Sequence, residues 1–135
     1  MITSRDYVEN VMRTASGDMP AIKERLMKDE TINLLHAAIG LVTEAAELTD
    51  MLKKHIFYGR DIDKINAQEE VGDALWYAGL AVDVLKTTMD DIMTKNIAKL
   101  QERYPEKFDE HKAMNRDISK ELKVFEGSDA WGAGE

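Results

Sequence analysis

Glu44-x-x-Glu47 and Glu70-x-x-Asp73 place two pairs of carboxylates inside the two most apolar, helix-patterned stretches of the chain. Residues three apart on a helix point the same way, so each pair presents both acids on one patch. A negative charge on an apolar helix face is costly to bury without compensation, and a divalent metal is the simplest compensation. Facing each other on neighbouring helices, the four acids form an oxygen-only cage. Hard ions prefer such ligands, which points to Mg²⁺, with Mn²⁺ able to substitute. Such a cage repels a phosphate-bearing anion when empty and attracts one once metal is bound.

Spacing alone does not single out these pairs. Among 26 acids in 135 residues, Asp6/Glu9, Glu47/Asp50, Glu106/Asp109 and Glu126/Asp129 share it. Setting does separate them: Val42, Ala45, Ala46 and Leu48 surround one pair, and Val71, Ala74 and Leu75 the other, whereas the rest lie in polar or terminal sequence. On pattern alone, a solvated amphipathic face stays open as the alternative. The first acidic stripe continues through Asn33, His36 and Gly40 on one side and Lys54 on the other. Tyr77, four residues after Asp73, can flank the metal and stack on a base or meet a sugar. Asn96, Lys99 and Arg103 share a later helix face and can meet phosphate. Each has an ordinary alternative: a lone histidine is often a hydrogen-bonder in a core, a tyrosine beside Trp76 is often core, and helix cations are often solvated. The eight methionines read as bundle filling.

The elements that must position these residues are all helical. Thr3 or Ser4 can cap a first helix bearing Tyr7, Val8, Val11 and Met12, and Ser16-Gly17-Asp18 breaks it before a short piece at Pro20. Apolar residues recur at helical spacing from Asp29 to about Tyr58, where Gly59 supplies a stop. A short polar link then leads to a second long helix, Lys64 to Leu85, which must run antiparallel to the first. Thr88, with Asp91 three residues on, opens a third that ends before Pro105. One more helix is expected from Phe108 or Asp109 to Phe125, and residues 128–135, with Trp131, read as a loose tail. The fold class is therefore all-α, an antiparallel helical bundle in one domain over residues 1–127. A bundle this thin leaves apolar helix surface that a second copy would cover, which predicts a homo-oligomer.

Composition narrows the function classes. Lys and Arg number 18 against 26 Asp and Glu, a formal net charge of −8, so neither nucleic-acid nor membrane-surface binding is expected. The chain has no cysteine, which excludes disulfides, thiolate metal sites and a cysteine nucleophile. No run reaches the length of a membrane span, and the first ten residues lack signal-peptide features, so a cytoplasmic location is expected, in a bacterium or in the host of a phage. No Gly-rich phosphate loop, Ser/His/Asp arrangement or His-Glu-x-x-His competes with the acidic pairs.

The blocks GLVTEAAEL, LKKHIFYGRDIDKIN, EEVGDALWYAG, NIAKLQERYP and MNRDISKE resemble the MazG-like all-α nucleoside triphosphate pyrophosphohydrolases, in particular a bacterial and phage subgroup. That family's signature is Glu-x-x-Glu, a variable gap and Glu-x-x-Asp. Here the gap, Leu48 to Glu69, is 22 residues, and the likeness spans about Ile32 to Gly127. The resemblance implies Mg²⁺-dependent cleavage of a nucleoside triphosphate between its α and β phosphates, giving a monophosphate and pyrophosphate. It implies that Glu44, Glu47, Glu70 and Asp73 hold the metal, that Lys54, Asn96 and Lys99 lie on the phosphate side, and that His36 and Tyr77 lie near the nucleoside. Glu47, with Glu44 beside it, is assigned to the attacking water. The resemblance further implies a bundle core completed by dimers or tetramers. Either pool cleaning or action on one nucleotide such as dGTP fits it. The rival readings are a nucleotide or metal sensor that has lost turnover, and an interaction bundle whose acidic stripes are subunit contacts.

Overall fold

The computed structural model describes residues 2–127, so the tail expected over 128–135 lies outside the described residues. Seven helices follow one another: α1 Ser4–Thr14, α2 Met19–Leu26, α3 Asp29–Tyr58, α4 Lys64–Val84, α5 Met89–Arg103, α6 Glu110–Met114 and α7 Ile118–Glu126. There is no strand among the described residues, as the helical periodicity required.

The caps fall where short polar side chains stand. Thr3 and Asp6 form a reciprocal capping box at α1. At α3 the first turn carries Asp29 and Glu30, which suit the positive end of the helix dipole. Its last turn ends at Gly59 in the left-handed region, φ 66°, where a side chain would be strained. Asp63 then opens α4 by accepting hydrogen bonds from the Ile65 and Asn66 backbone N–H groups at 3.0 and 3.1 Å. With only residues 59–63 between them, α3 and α4 pack antiparallel as the most extensive helix pair of the chain.

Small residues let this pair approach. Ala37 and Gly40 are buried on α3, and a Cβ added at Gly40 would overlap the Tyr77 ring of α4. Larger side chains stay open: Val42 is 68% exposed, and Leu75 and Trp76 are each 61% exposed. Among the described residues no large side chain is fully buried, so the single chain is an open bundle without a closed core.

The second packed pair is α5 with α7. The one helix expected from about residue 108 to 125 is two, because Asp109 and Asp117 each cap a separate start, accepting from the Lys112 and Lys120 N–H groups at 3.0 and 3.1 Å. At the break between them, Arg116 turns its guanidinium onto Glu121, with a 2.6 Å Nη2–Oε2 contact.

Candidate metal centre

The antiparallel register of α3 and α4 sets Glu44, Glu47 and Glu70 against one another, one carboxylate oxygen from each lying within 4.8 Å of the others. Glu70 is buried, Glu44 half-buried and Glu47 exposed. None of the three joins an ion pair among the described residues. Glu44 is pushed above the usual carboxylate range, first by desolvation and then by the Glu70, Glu47 and Asp73 carboxylates, against a stabilising hydrogen bond from Thr43. Thr43 Oγ1 lies 3.2 Å from Glu44 Oε1, and 2.9 Å from the Gly40 carbonyl. On α4, Asn66 Nδ2 donates to Glu70 Oε1. Three oxygen donors from two rigid helices, mutually repelling and without a cationic side chain, fit a hard divalent ion.

Asp73 stands at the edge of this group. It lines a small cleft of about 290 Å³ with Glu44, Trp76 and Tyr77. His36 joins the aromatic side: its ring meets Tyr77 edge-on at 5.7 Å and Trp76 at 6.3 Å, and the two α4 rings are 5.0 Å apart. On the other side of the acids, a larger open cleft of about 520 Å³ runs from Glu47 and Glu70 to Lys54 and Arg60. Its volume lies within the range of small-molecule sites, roughly 300–1,000 Å³. Lys54 Nζ is 2.6 Å from Asp50, which also pairs with Lys53; hydrogen bonds from Lys53 and then Lys54 hold the Asp50 carboxyl down to about 2.

The three α5 candidates are elsewhere. Asn96, Lys99 and Arg103 line neither cleft. Lys99 Nζ lies 6.0 Å from the centre of the Phe125 ring, and Arg103 forks onto Glu121 with Nε–Oε1 at 2.8 Å. Conversely, Asn66, Asp50, Arg60 and Trp76 stand at the site without having been candidates. Asn66 was within reach of sequence reasoning, since it precedes Glu70 by one helical turn on the same face. Arg60 was not, because its place depends on how the chain leaves Gly59.

No solved structure matches the chain. A "Gene 37 protein" of Mycobacterium phage L5 is 32% identical over 82 residues, which cover 56% of this chain and 69% of that protein. Residues 33–108 match the MazG nucleotide pyrophosphohydrolase domain, a segment that runs from α3 to beyond α5 and encloses all four signature acids. The match covers more than half of the sequence, and the chain belongs to the MazG nucleotide pyrophosphohydrolase domain family.

Proposed function

We propose that the protein hydrolyses nucleoside triphosphates between the α and β phosphates, with Mg²⁺ held by Glu44, Glu47 and Glu70 and with Asp73 at the flank. The observation that carries this reading is the trio of carboxylates gathered from α3 and α4 without a cationic partner among the described residues. When bound, the ion supplies neutralisation of phosphate charge and polarisation of the attacking water. The chain's own groups do the rest. Glu47, the most exposed of the three, accepts the proton of the water whose oxygen bonds to the α phosphorus. The bond from that phosphorus to the bridging oxygen breaks in line, and pyrophosphate leaves with the bridging oxygen.

The two clefts support one direction for the substrate. Rings of His36, Trp76 and Tyr77 offer a surface for the base at one end, and Lys54 offers a cation for phosphate at the other. Asn96 and Lys99 enter this reading through the family pattern, and α5 of the same chain or of a second copy must approach the cleft for them to touch phosphate. The open faces of α3 and α4 support a homo-oligomer, because an exposed apolar surface of this extent is stable in water once a second copy covers it.

The test is pyrophosphate release, assayed against orthophosphate, from a panel of ribo- and deoxyribonucleoside triphosphates that includes dGTP, with Mg²⁺ or Mn²⁺ and with chelator. Pyrophosphate and monophosphate in equal amounts are expected. Metal-dependent triphosphate binding with no product from any base would instead establish the sensor reading.

A further inference from the structure

We infer that Arg60, in the link between α3 and α4, is the anchor for the terminal two phosphates of the substrate and for the pyrophosphate that leaves. The inference rests on the pyrophosphohydrolase reading for its ligand, and on the cleft for its residue. Of the two cations lining that cleft, Lys54 shares its charge between Asp50 and any phosphate it meets, whereas the Arg60 side chain has no ion pair or hydrogen bond among the described residues. The nearby acids are not equivalent competitors. Asp63 is committed to capping α4 through two backbone N–H groups, and Asp50 to two lysines, which leaves Asp61 as the opposing charge at this end.

The backbone of Arg60 is fixed although its side chain is exposed. Its N–H donates to the Lys54 carbonyl at 3.3 Å, and His55 Nδ1 donates to its carbonyl oxygen at 2.7 Å. Gly59, at φ 66°, makes the turn that both bonds need. Arg60 thus lines the cleft from the C-terminal end of α3, beyond Glu47 as counted along the chain from His36. A planar fork with several donors matches two non-bridging phosphate oxygens at once, which an ammonium group cannot do. Reaction at the acids then places the monophosphate on the ring side and pyrophosphate on the arginine side.

The experiment is calorimetric titration of inorganic pyrophosphate, with Mg²⁺ present, into the full chain and its variants. Arg60→Ala should weaken pyrophosphate about tenfold and Arg60→Lys by about threefold, as expected for loss of a charged hydrogen bond or of its fork geometry. Asp61→Asn should tighten it. Mn²⁺ binding followed by electron paramagnetic resonance should be unchanged in all three, and Arg13→Ala on α1 should match the wild type in both titrations. The inference is overturned if Arg60→Ala binds pyrophosphate as the wild type does, if the wild type fails to bind it, or if Mn²⁺ is lost in parallel. A wild type that binds pyrophosphate through Arg60 yet releases none from any triphosphate would sink the hydrolase reading and leave the anchor standing.

Discussion

Two glutamates among the described residues are buried, and they differ in what faces them. Glu121, 4% exposed, receives two guanidinium groups: Arg103 with contacts of 2.8 and 2.5 Å, and Arg116 with one of 2.6 Å. Arg103 first and Arg116 second hold its carboxyl down to about 2. Glu70, 7% exposed, receives a neutral amide from Asn66 and faces two further carboxylates. A buried charge must find its counter-charge somewhere. For Glu121 the fold supplies it, and the result is a tie between α5 and α7. For Glu70 the fold withholds it among the described residues, and the result is a cluster of carboxylates that an outside cation could complete. Burial of an acid therefore does not by itself mark the proposed site; burial without an arginine is what sets Glu70 apart from Glu121.

The largest effect expected from this contrast is on Glu70→Gln. The variant keeps an acceptor for Asn66 but removes one oxygen charge from the cage, and pyrophosphate release should fall by about a hundredfold or more. In chelator, its thermal midpoint should equal or exceed that of the wild type, since an uncompensated charge has been removed. Added Mg²⁺ should stabilise the wild type, by about 2.7 kcal/mol at a hundred times its dissociation constant, and the variant far less. Thermal melts at one fixed protein concentration, with and without metal, read both. A variant that melts well below the wild type in chelator would break the contrast.

Glu121→Gln should do the reverse. It strands two guanidinium groups, so the midpoint should fall by several degrees while Mn²⁺ binding stays unchanged. The same carboxylate fixes an acid limb of stability. Its folded pKa lies below the ordinary 4.5, so its contribution is complete above that pH and fades as pH falls through the window down to about 2. The wild type should accordingly lose more stability than Glu121→Gln between pH 6 and pH 3. Equal losses would mean that the arginines do not hold this acid in solution.

Asn66→Ala sharpens the other half of the comparison. Asn66 is to Glu70 what the arginines are to Glu121, a partner that fixes orientation, but it brings no charge. Its removal should weaken Mn²⁺ by about tenfold, the usual size for an outer partner of a metal ligand, and leave the melt in chelator nearly unchanged. A loss as large as that of Glu70→Gln would make Asn66 itself a ligand.

The same contrast explains what could be read from the sequence. The helices α3 and α4 were legible because period, cap and stop signals agree along them, from the apolar run after Asp29 to Gly59 and Asp63. Three of the four signature acids follow from that register, since a short link forces the helices antiparallel. The region after Pro105 was less legible. A single helix was expected where Asp109 and Asp117 start two, because side-chain caps compete with a periodicity that is weak there. Helical spacing puts Arg103 on one face with Asn96 and Lys99, and a local rule of that kind does not see Glu121, 18 residues farther on.

The smallest effect separates the two arginines. The Arg103 side chain is 15% exposed and Arg116 is 46% exposed, and the Nε–Oε1 distance lengthens from 2.8 to 3.4 Å. Water screens the second pair more, so Arg116→Ala should lower the melting midpoint by less than half of what Arg103→Ala does. The order matters for function as well as for stability. Arg103 cannot fork onto Glu121 and onto a phosphate with the same donors, so its role is decided by which loss appears. A lower midpoint with an unchanged KM for triphosphate assigns it to the tie between α5 and α7. A raised KM at an unchanged midpoint would return it to the phosphate face that its place beside Asn96 and Lys99 suggests.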